Sequence, residues 1–368
     1  MIAFSCTEII AEVRGHVGML TLARPKALNA LTLPMVRALT AALLRWQHDP
    51  QVQAVAIRGT DKHGPFGHFC AGGDIRFFHQ AVLAGNPALE DFFTEEYALN
   101  HLIHHYPKPY LAFMDGIVMG GGMGISQGAS HKIVTERSKL GMPETHIGLF
   151  PDVGGGYFLS RCPGRTGEWL ALTGTPLDAA QAIELGLADV CMPAAQLPAA
   201  WAALASLHRC QPEDLRAWQA NFAVATVPGL TAVTAQVDRY FSLDSVPAIV
   251  QALEADTADW AQQTAATLRH RSPLMLHVVL EQIRRARGMT LAQDLRMERD
   301  MVRHCFYTEH LGRFGHHSET TEGIRALAVD KDHHPKWAPE RIEEVSPDMV
   351  LPFFDSPWPA HAHPLRSL

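Results

Sequence analysis

The chain lacks the features that mark a membrane or nucleic-acid-binding protein. No uninterrupted apolar run reaches the roughly 20 residues that a bilayer-spanning helix needs. No block of Lys and Arg stands out and the net charge is −7, so the basic face that a nucleic-acid or membrane-surface partner requires is missing. The six cysteines (Cys6, Cys70, Cys162, Cys191, Cys210 and Cys305) show no CxxC spacing and read as reduced, mostly buried thiols. Gly never precedes Lys, which excludes a P-loop. A dinucleotide fingerprint fails as well: with Gly120 and Gly122 in register, the next glycine is required at 125, which is Ile. The opening "MIAFSCTEIIAEVRGHVGML" has acids early and neither a basic n-region nor an Arg/Ser-rich pattern, so a cytoplasmic location is expected.

What remains is the composition of an ordinary globular chain, 47% hydrophobic and 19% charged, with 368 residues for one large domain or two modest ones. Histidine is abundant, and His101, His104 and His105, then His333 and His334, invite a metal reading. His101 and His105 are spaced to share a helix face, but the zinc helix also needs Glu beside the first His, and position 102 is Leu. Solvated or capping histidines are expected, and no metal site.

Ile9 to Val13 and Val17 to Leu22 read as a hairpin around Arg14-Gly15-His16. "TLPMVRALTAALLRWQHDP" reads as a helix, with Pro34 in its first turn and Val36, Leu39, Leu43 and Trp46 as its apolar stripe. "VQAVAIRGT" is nearly continuous apolar sequence, as in a strand buried on both faces. A helix through Phe92 to Ile103, a strand at Tyr110 to Met114, a glycine turn into another helix, and short strands at "HKIVTE" and "KLGMPE" repeat the theme. A helix at "DAAQAIELGLADVCMP", with Asp178 as N-cap and Gly186 as C-cap, closes this half. The expected organisation is a core of stacked ββα turns over 1–195, a helical region over 196–345 and a Pro-rich irregular tail over 346–368.

Three glycine clusters stand at strand-to-helix junctions: Gly72-Gly73, Gly120-Gly121-Gly122 and Gly154-Gly155-Gly156. They read either as tight turns or as exposed backbone N–H groups that receive an anion or a developing oxyanion. "GISQG" (Gly124, Ser126, Gly128) matches the pattern of a serine nucleophile elbow. That elbow needs the serine on a sharp turn directly after a strand, whereas Ser126 falls inside the following helix. Two acids, Glu144 and Asp152, stand in an otherwise apolar, turn-rich stretch, "MPETHIGLFPDVGGGY". Taken alone, Glu144 is equally a helix-start carboxylate and Asp152 a helix N-cap.

"ARPKALNALT", "FCAGGDIR", "GIVMGGGMG" and "MPETHIGLFPDVGG" resemble, in order, the signatures of the crotonase (enoyl-CoA hydratase/isomerase) superfamily. "LTGTPLDAAQAIELGLAD" and "EGIRALAVDKDHHPKWAP" are similar to later signatures, so the resemblance spans roughly residues 10 to 345. It implies an α/β fold, a crotonase-like spiral of ββα units followed by a mainly helical C-terminal region. It further implies an acyl-CoA substrate, an oxyanion hole from the N–H groups of Gly73 and Gly121, and no metal or redox cofactor, coenzyme A being part of the substrate. Relatives of this kind are often trimers or dimers of trimers, so a homo-oligomer is expected.

Within that superfamily the hydratases use two glutamates. One falls at Glu144, but the other, two residues after the triple glycine, falls at Gly124, which moves no proton. Asp152 resembles instead the aspartate of the branch that hydrolyses short-chain 3-hydroxyacyl-CoA thioesters. The resemblance then implies that Glu144 attacks the thioester carbonyl or activates a water, and that Asp152 orients water or the substrate hydroxyl and shuttles the proton to the thiolate. If the two acids are close, like charge and apolar surroundings should raise one pKa. Glu96, in "EDFFTEEYALN", would contact the substrate, and Arg24 and Lys26 are counter-charges for the CoA phosphates. Hydration or isomerisation of another acyl-CoA, and a catalytically silent CoA-binding protein, are the alternatives.

Overall fold

Strand order follows from which segments are apolar on both faces. The computed structural model describes residues 6–62, 64–227 and 229–368. β1 (Ile9–Arg14) and β2 (Val17–Leu22) form the expected antiparallel hairpin, Ile9 opposite Leu22 and Arg14 opposite Val17. β2 is buried along its whole length because β3 (Ala54–Gly59) pairs with its other side in parallel. After β3 come β4 (Tyr110–Met114), β5 (Ile117–Met119), β6 (His131–Val134), β7 (Lys139–Gly141) and β8 (Val190–Cys191). The main sheet runs β1-β2-β3-β4-β6-β8, parallel throughout except for the hairpin, while β5 and β7 make a separate parallel pair. β5 lies in the stretch read as a glycine turn and is an addition to the expected elements.

The first helix spans Leu33–Gln47; the Thr32 hydroxyl accepts from the Met35 N–H, Pro34 lies in the first turn, and the stripe from Met35 to Trp46 is buried. The Ala179–Glu184 helix carries a complete capping box between Asp178 and Gln181; its C-cap is Leu185, and Gly186 follows at φ 75°.

Contacts divide the chain into two compact units, each assembled from several stretches. The first comprises Met1–Gly73, Ala98–Gly141 and Leu177–Gly229; the second comprises Asp74–Tyr97, Met142–Pro176 and Leu230–Leu368. The chain leaves the first unit after β3 and again after β7, returning for β4 and β8. In the first unit Leu111, Phe113 and Ile133 from the sheet meet Trp201, Leu204, Leu215 and Trp218 from the Leu197–Ala205 and Pro212–Ala220 helices. Phe113 and Trp201 pack edge to face at 5.1 Å, and the Trp218 indole N–H donates to the Ala200 carbonyl. Each such aromatic removes roughly 150–250 Å² from water.

The second unit is mainly helical, as expected for the later chain. Its aromatic core joins Phe78, Phe92, Phe93 and Phe306, with ring centroids 4.8 to 6.4 Å apart. The Pro273–Ala286 and Leu291–Phe306 helices each bury a broad face. Residues 346–368 form only single helical turns, at Pro347–Val350, Leu351–Phe354 and Ala360–Ala362.

Candidate active site

Pro143 starts the short 3₁₀ turn Glu144–Ile147, and Gly148 closes it in the left-handed region. The turn is held from three sides within the second unit. The Thr145 hydroxyl donates to the Leu172 carbonyl, the Ser272 N–H to the Thr145 carbonyl, and the Thr320 hydroxyl to the Gly148 carbonyl. Glu144 therefore does start a helical turn, yet its carboxyl is buried and Oε2 has no hydrogen-bond partner.

Asp152 is also buried, and it does not cap the next helix. Gly154 occupies the N-cap of the Gly155–Leu159 helix, and Asp152 contributes its carbonyl, which accepts from the Gly155 N–H. Its carboxylate is turned elsewhere: Oδ2 accepts from the Tyr97 hydroxyl at 2.8 Å. Tyr97 follows Glu96 on the Ala88–His104 helix. Glu96 is 2% exposed, and its Oε1 has no partner.

Glu96, Tyr97, Glu144 and Asp152 all belong to the second unit, and they interact electrostatically. Burial, then the charge of Asp152, push Glu96 and Glu144 well above the usual carboxylate range. Burial raises Asp152 to about 7, opposed by the Tyr97 hydroxyl and a backbone N–H, both of which favour its anion. The Asp152 charge thus disfavours ionisation of both Glu144 and Glu96. Carboxyl groups whose surroundings push their pKa values apart are candidates for paired acid and base roles.

Gly73 and Gly121 lie in the first unit. Among the described residues neither N–H has an acceptor, and Gly121 is the first residue of its helix, where no intrahelical acceptor exists. The segments approach closely: a Cβ on Gly72 would lie 3.7 Å from the Gly121 amide nitrogen, and one on Gly122 would run into the Cys70 carbonyl oxygen. Ser126 is fully buried and its hydroxyl donates to the Gly122 carbonyl at 2.7 Å, as expected of a helix serine rather than an elbow nucleophile. Arg24 pairs with Glu8 at 3.2 Å and donates to the Ala30 carbonyl, whereas Lys26 is exposed. His101 and His105 stack with centroids 4.1 Å apart; no group of three or more His, Cys, Asp or Glu among the described residues is arranged to hold a metal.

Sequence reasoning passed over Tyr97 and the buried pair Asp294 and Glu298 on the Leu291–Phe306 helix. The pair did leave a trace: both acids fall on the apolar stripe of Leu291, Leu295, Val302 and Cys305. Tyr97 left none, since a buried tyrosine on a helix face is ordinary.

These features define an acyl-CoA enzyme of the crotonase class, and residues 17–354 match the enoyl-CoA hydratase/isomerase family model. The chain belongs to that family. It is 37% identical over 360 residues to the mitochondrial 3-hydroxyisobutyryl-CoA hydrolase of Xenopus tropicalis, covering 95% of this chain and 89% of that one. It is likewise 37% identical over 361 residues to 3-hydroxyisobutyryl-CoA hydrolase 1 of Arabidopsis thaliana, covering 95% and 92%. Among solved structures, a carnitinyl-CoA dehydratase from Mycobacterium thermoresistibile superposes with a TM-score of 0.86 at 36% identity, covering 95% of this chain and 97% of that one. An enoyl-CoA hydratase from Rhodobacter sphaeroides 2.4.1 gives 0.84 at 36%, covering 95% and 98%. The matching structures bear out the α/β fold with its mostly helical C-terminal region.

Proposed function

We propose that the protein hydrolyses a short-chain 3-hydroxyacyl-CoA thioester, 3-hydroxyisobutyryl-CoA being the substrate and 3-hydroxyisobutyrate and CoA the products, a step of valine degradation. The observation that supports the reading is the Tyr97–Asp152 hydrogen bond: it favours the Asp152 anion, which suits a base, while burial and the Asp152 charge disfavour ionisation of Glu144, which suits an acid. Glycine at 124 removes the second glutamate of a hydratase, and the curated relatives quoted above carry the hydrolase name.

In this reading Asp152 takes a proton from water, whose oxygen attacks the thioester carbonyl carbon. The family resemblance assigns the negative charge on the carbonyl oxygen to the N–H groups of Gly73 and Gly121. The C–S bond breaks with its electron pair on sulfur, and Glu144 gives the proton that makes the free thiol. The acid product loses its proton to solvent, and proton transfer from Asp152 to Glu144 restores the starting state. Glu96, protonated and with one oxygen unpartnered, pairs with the substrate hydroxyl.

The experiment is free-thiol release from 3-hydroxyisobutyryl-CoA beside loss of enoyl absorbance with crotonyl-CoA, on one preparation. Thiol release without hydration supports the proposal; Asp152→Asn and Glu144→Gln should each lower it by about 10²- to 10⁴-fold, leaving a measurable rate, while CoA binding survives. Hydration without thiol release favours a second reading, hydration of another acyl-CoA, since the two similar structures are named as a carnitinyl-CoA dehydratase and an enoyl-CoA hydratase.

A further inference from the structure

Asp294 and Glu298 are fully buried acids that the proposed chemistry does not use. They stand one turn apart on the Leu291–Phe306 helix, within the same unit as Asp152, and face the segment that carries it. Glu298 Oε2 accepts from the Gly154 N–H at 2.7 Å and Oε1 from the Gly156 N–H at 2.9 Å. Asp294 Oδ2 accepts from the Tyr157 N–H at 2.8 Å. The Gln282 amide joins the group, donating to the Pro151 carbonyl at 2.7 Å and to Glu298 Oε1 at 3.2 Å. The backbone is therefore tied immediately before Asp152 and again two residues after it.

The segment needs such ties. Val153 adopts φ 57°, a left-handed conformation that costs an L-residue roughly 1–2 kcal/mol and suits a β-branched one especially badly. Gly154 follows at φ 88° and, as N-cap, has no side chain to satisfy the first N–H groups of the helix. A local Ser or Asp would do that for about 1 kcal/mol. Burying two carboxylates instead costs several kcal/mol per ion before their bonds are counted. Helix capping alone does not account for that expense. Burial raises both groups, and the charge of Asp294 raises Glu298 further, while a side-chain hydrogen bond with Glu298 opposes the rise of Asp294, whose Oδ1 has no protein donor.

We propose that Glu298, with Asp294 and Gln282, clamps the Pro151–Tyr157 segment and so positions the Asp152 carboxylate against the Tyr97 hydroxyl. These are positioning residues that touch no substrate. The inference rests on the reading of Asp152 as the base.

Two measurements on Glu298→Gln test it. The amide keeps one acceptor oxygen and turns an NH₂ toward the other N–H, which removes one tie with little change of volume. In a crystal structure of the full-length variant, the Tyr97 Oη to Asp152 Oδ2 separation is expected to lengthen from 2.8 Å to beyond about 3.5 Å. In thiol-release kinetics, kcat should fall roughly 10- to 100-fold with KM within about threefold, and the same substitution in an Asp152→Asn background should cost less than about threefold more. An Asp152 carboxylate that stays in place, or losses that multiply fully in the double variant, would overturn the clamp. If Glu298→Gln does not fold, Gln282→Leu removes the Pro151 tie without touching charge, and the same outcomes apply. If the wild-type protein releases no thiol, the proposed function fails, while the crystallographic arm still decides the clamp.

Discussion

Tyr97 and Asp152 are 55 residues apart in the chain and are joined by one hydrogen bond, the phenol donating to Oδ2 over 2.8 Å. That bond favours the aspartate anion against the burial that opposes it. Tyr97→Phe should therefore raise the Asp152 pKa above its value of about 7. A hydrogen bond to a charged group is worth roughly 1.5–3 kcal/mol, so the acid limb of the kcat/KM profile for thiol release should move up by about 1 to 2 pH units. An unmoved limb would mean that another group titrates.

The stability contributed by three buried acids should fall as pH rises from 5 to 8, while His79, His131, His146, His277 and His310, whose pKa values burial lowers, act in the opposite sense. Asp152, Glu144 and Glu96 all have folded pKa values above their unfolded ones, so the folded protein binds these protons more tightly. Their contribution is complete below the unfolded carboxylate values and is lost as pH climbs through the folded ones, near 7 for Asp152. The slope is at most about 1.4 kcal/mol per pH unit for each group. Asp152→Asn removes this loss at its own position, so its Tm should gain on the wild type with rising pH. Differential scanning fluorimetry at several pH values checks this; a gain that shrinks with pH contradicts it.

Gly122→Ala should damage turnover through the backbone. The added Cβ, on the residue that directly follows Gly121, would run into the carbonyl oxygen of Cys70, three residues before Gly73. Loss of one oxyanion donor costs about 10²–10³ in kcat, and a fall of that order is expected, together with a lower Tm. Full activity would remove this segment from the chemistry.

Ser126→Ala should leave kcat/KM within about twofold. The hydroxyl is buried and bonded to the Gly122 carbonyl, and at most about 1 kcal/mol of stability depends on it. Loss of thiol release with an intact fold would reinstate the serine as a nucleophile.

Hydroxylamine added during turnover should trap no modified Glu144. A mixed anhydride needs the Glu144 carboxylate, whereas burial and the Asp152 charge both disfavour that ionised form. Mass spectrometry of the peptide containing Glu144 reads the result, and a hydroxamate there would make Glu144 the nucleophile.

Much of this was legible one residue at a time. Apolar periods marked the β1–β2 hairpin and the Leu33–Gln47 helix, and local chemistry marked the Asp178 cap. Glu144 and Asp152 stood out as acids in apolar sequence, and the glycine clusters marked close backbone approaches. β5 stayed hidden because its residues lie in the stretch read as a glycine turn leading into a helix. Asp152 read equally as a helix cap, since a cap and a base look alike until the partner of the carboxylate is known. Glu298 was illegible for the same reason: its partners, Gly154 and Gly156, lie more than 140 residues away.

The sequence by itself determined the family, the run of strands and helices, and the absence of the second hydratase glutamate at position 124. Those properties depend on local pattern and on side-chain identity. Only the tertiary structure decided how burial and neighbouring groups shift each acid. A carboxyl pKa is set by how much water is removed and by which donors arrive, and for Asp152 the decisive donor, Tyr97, comes from a distant helix.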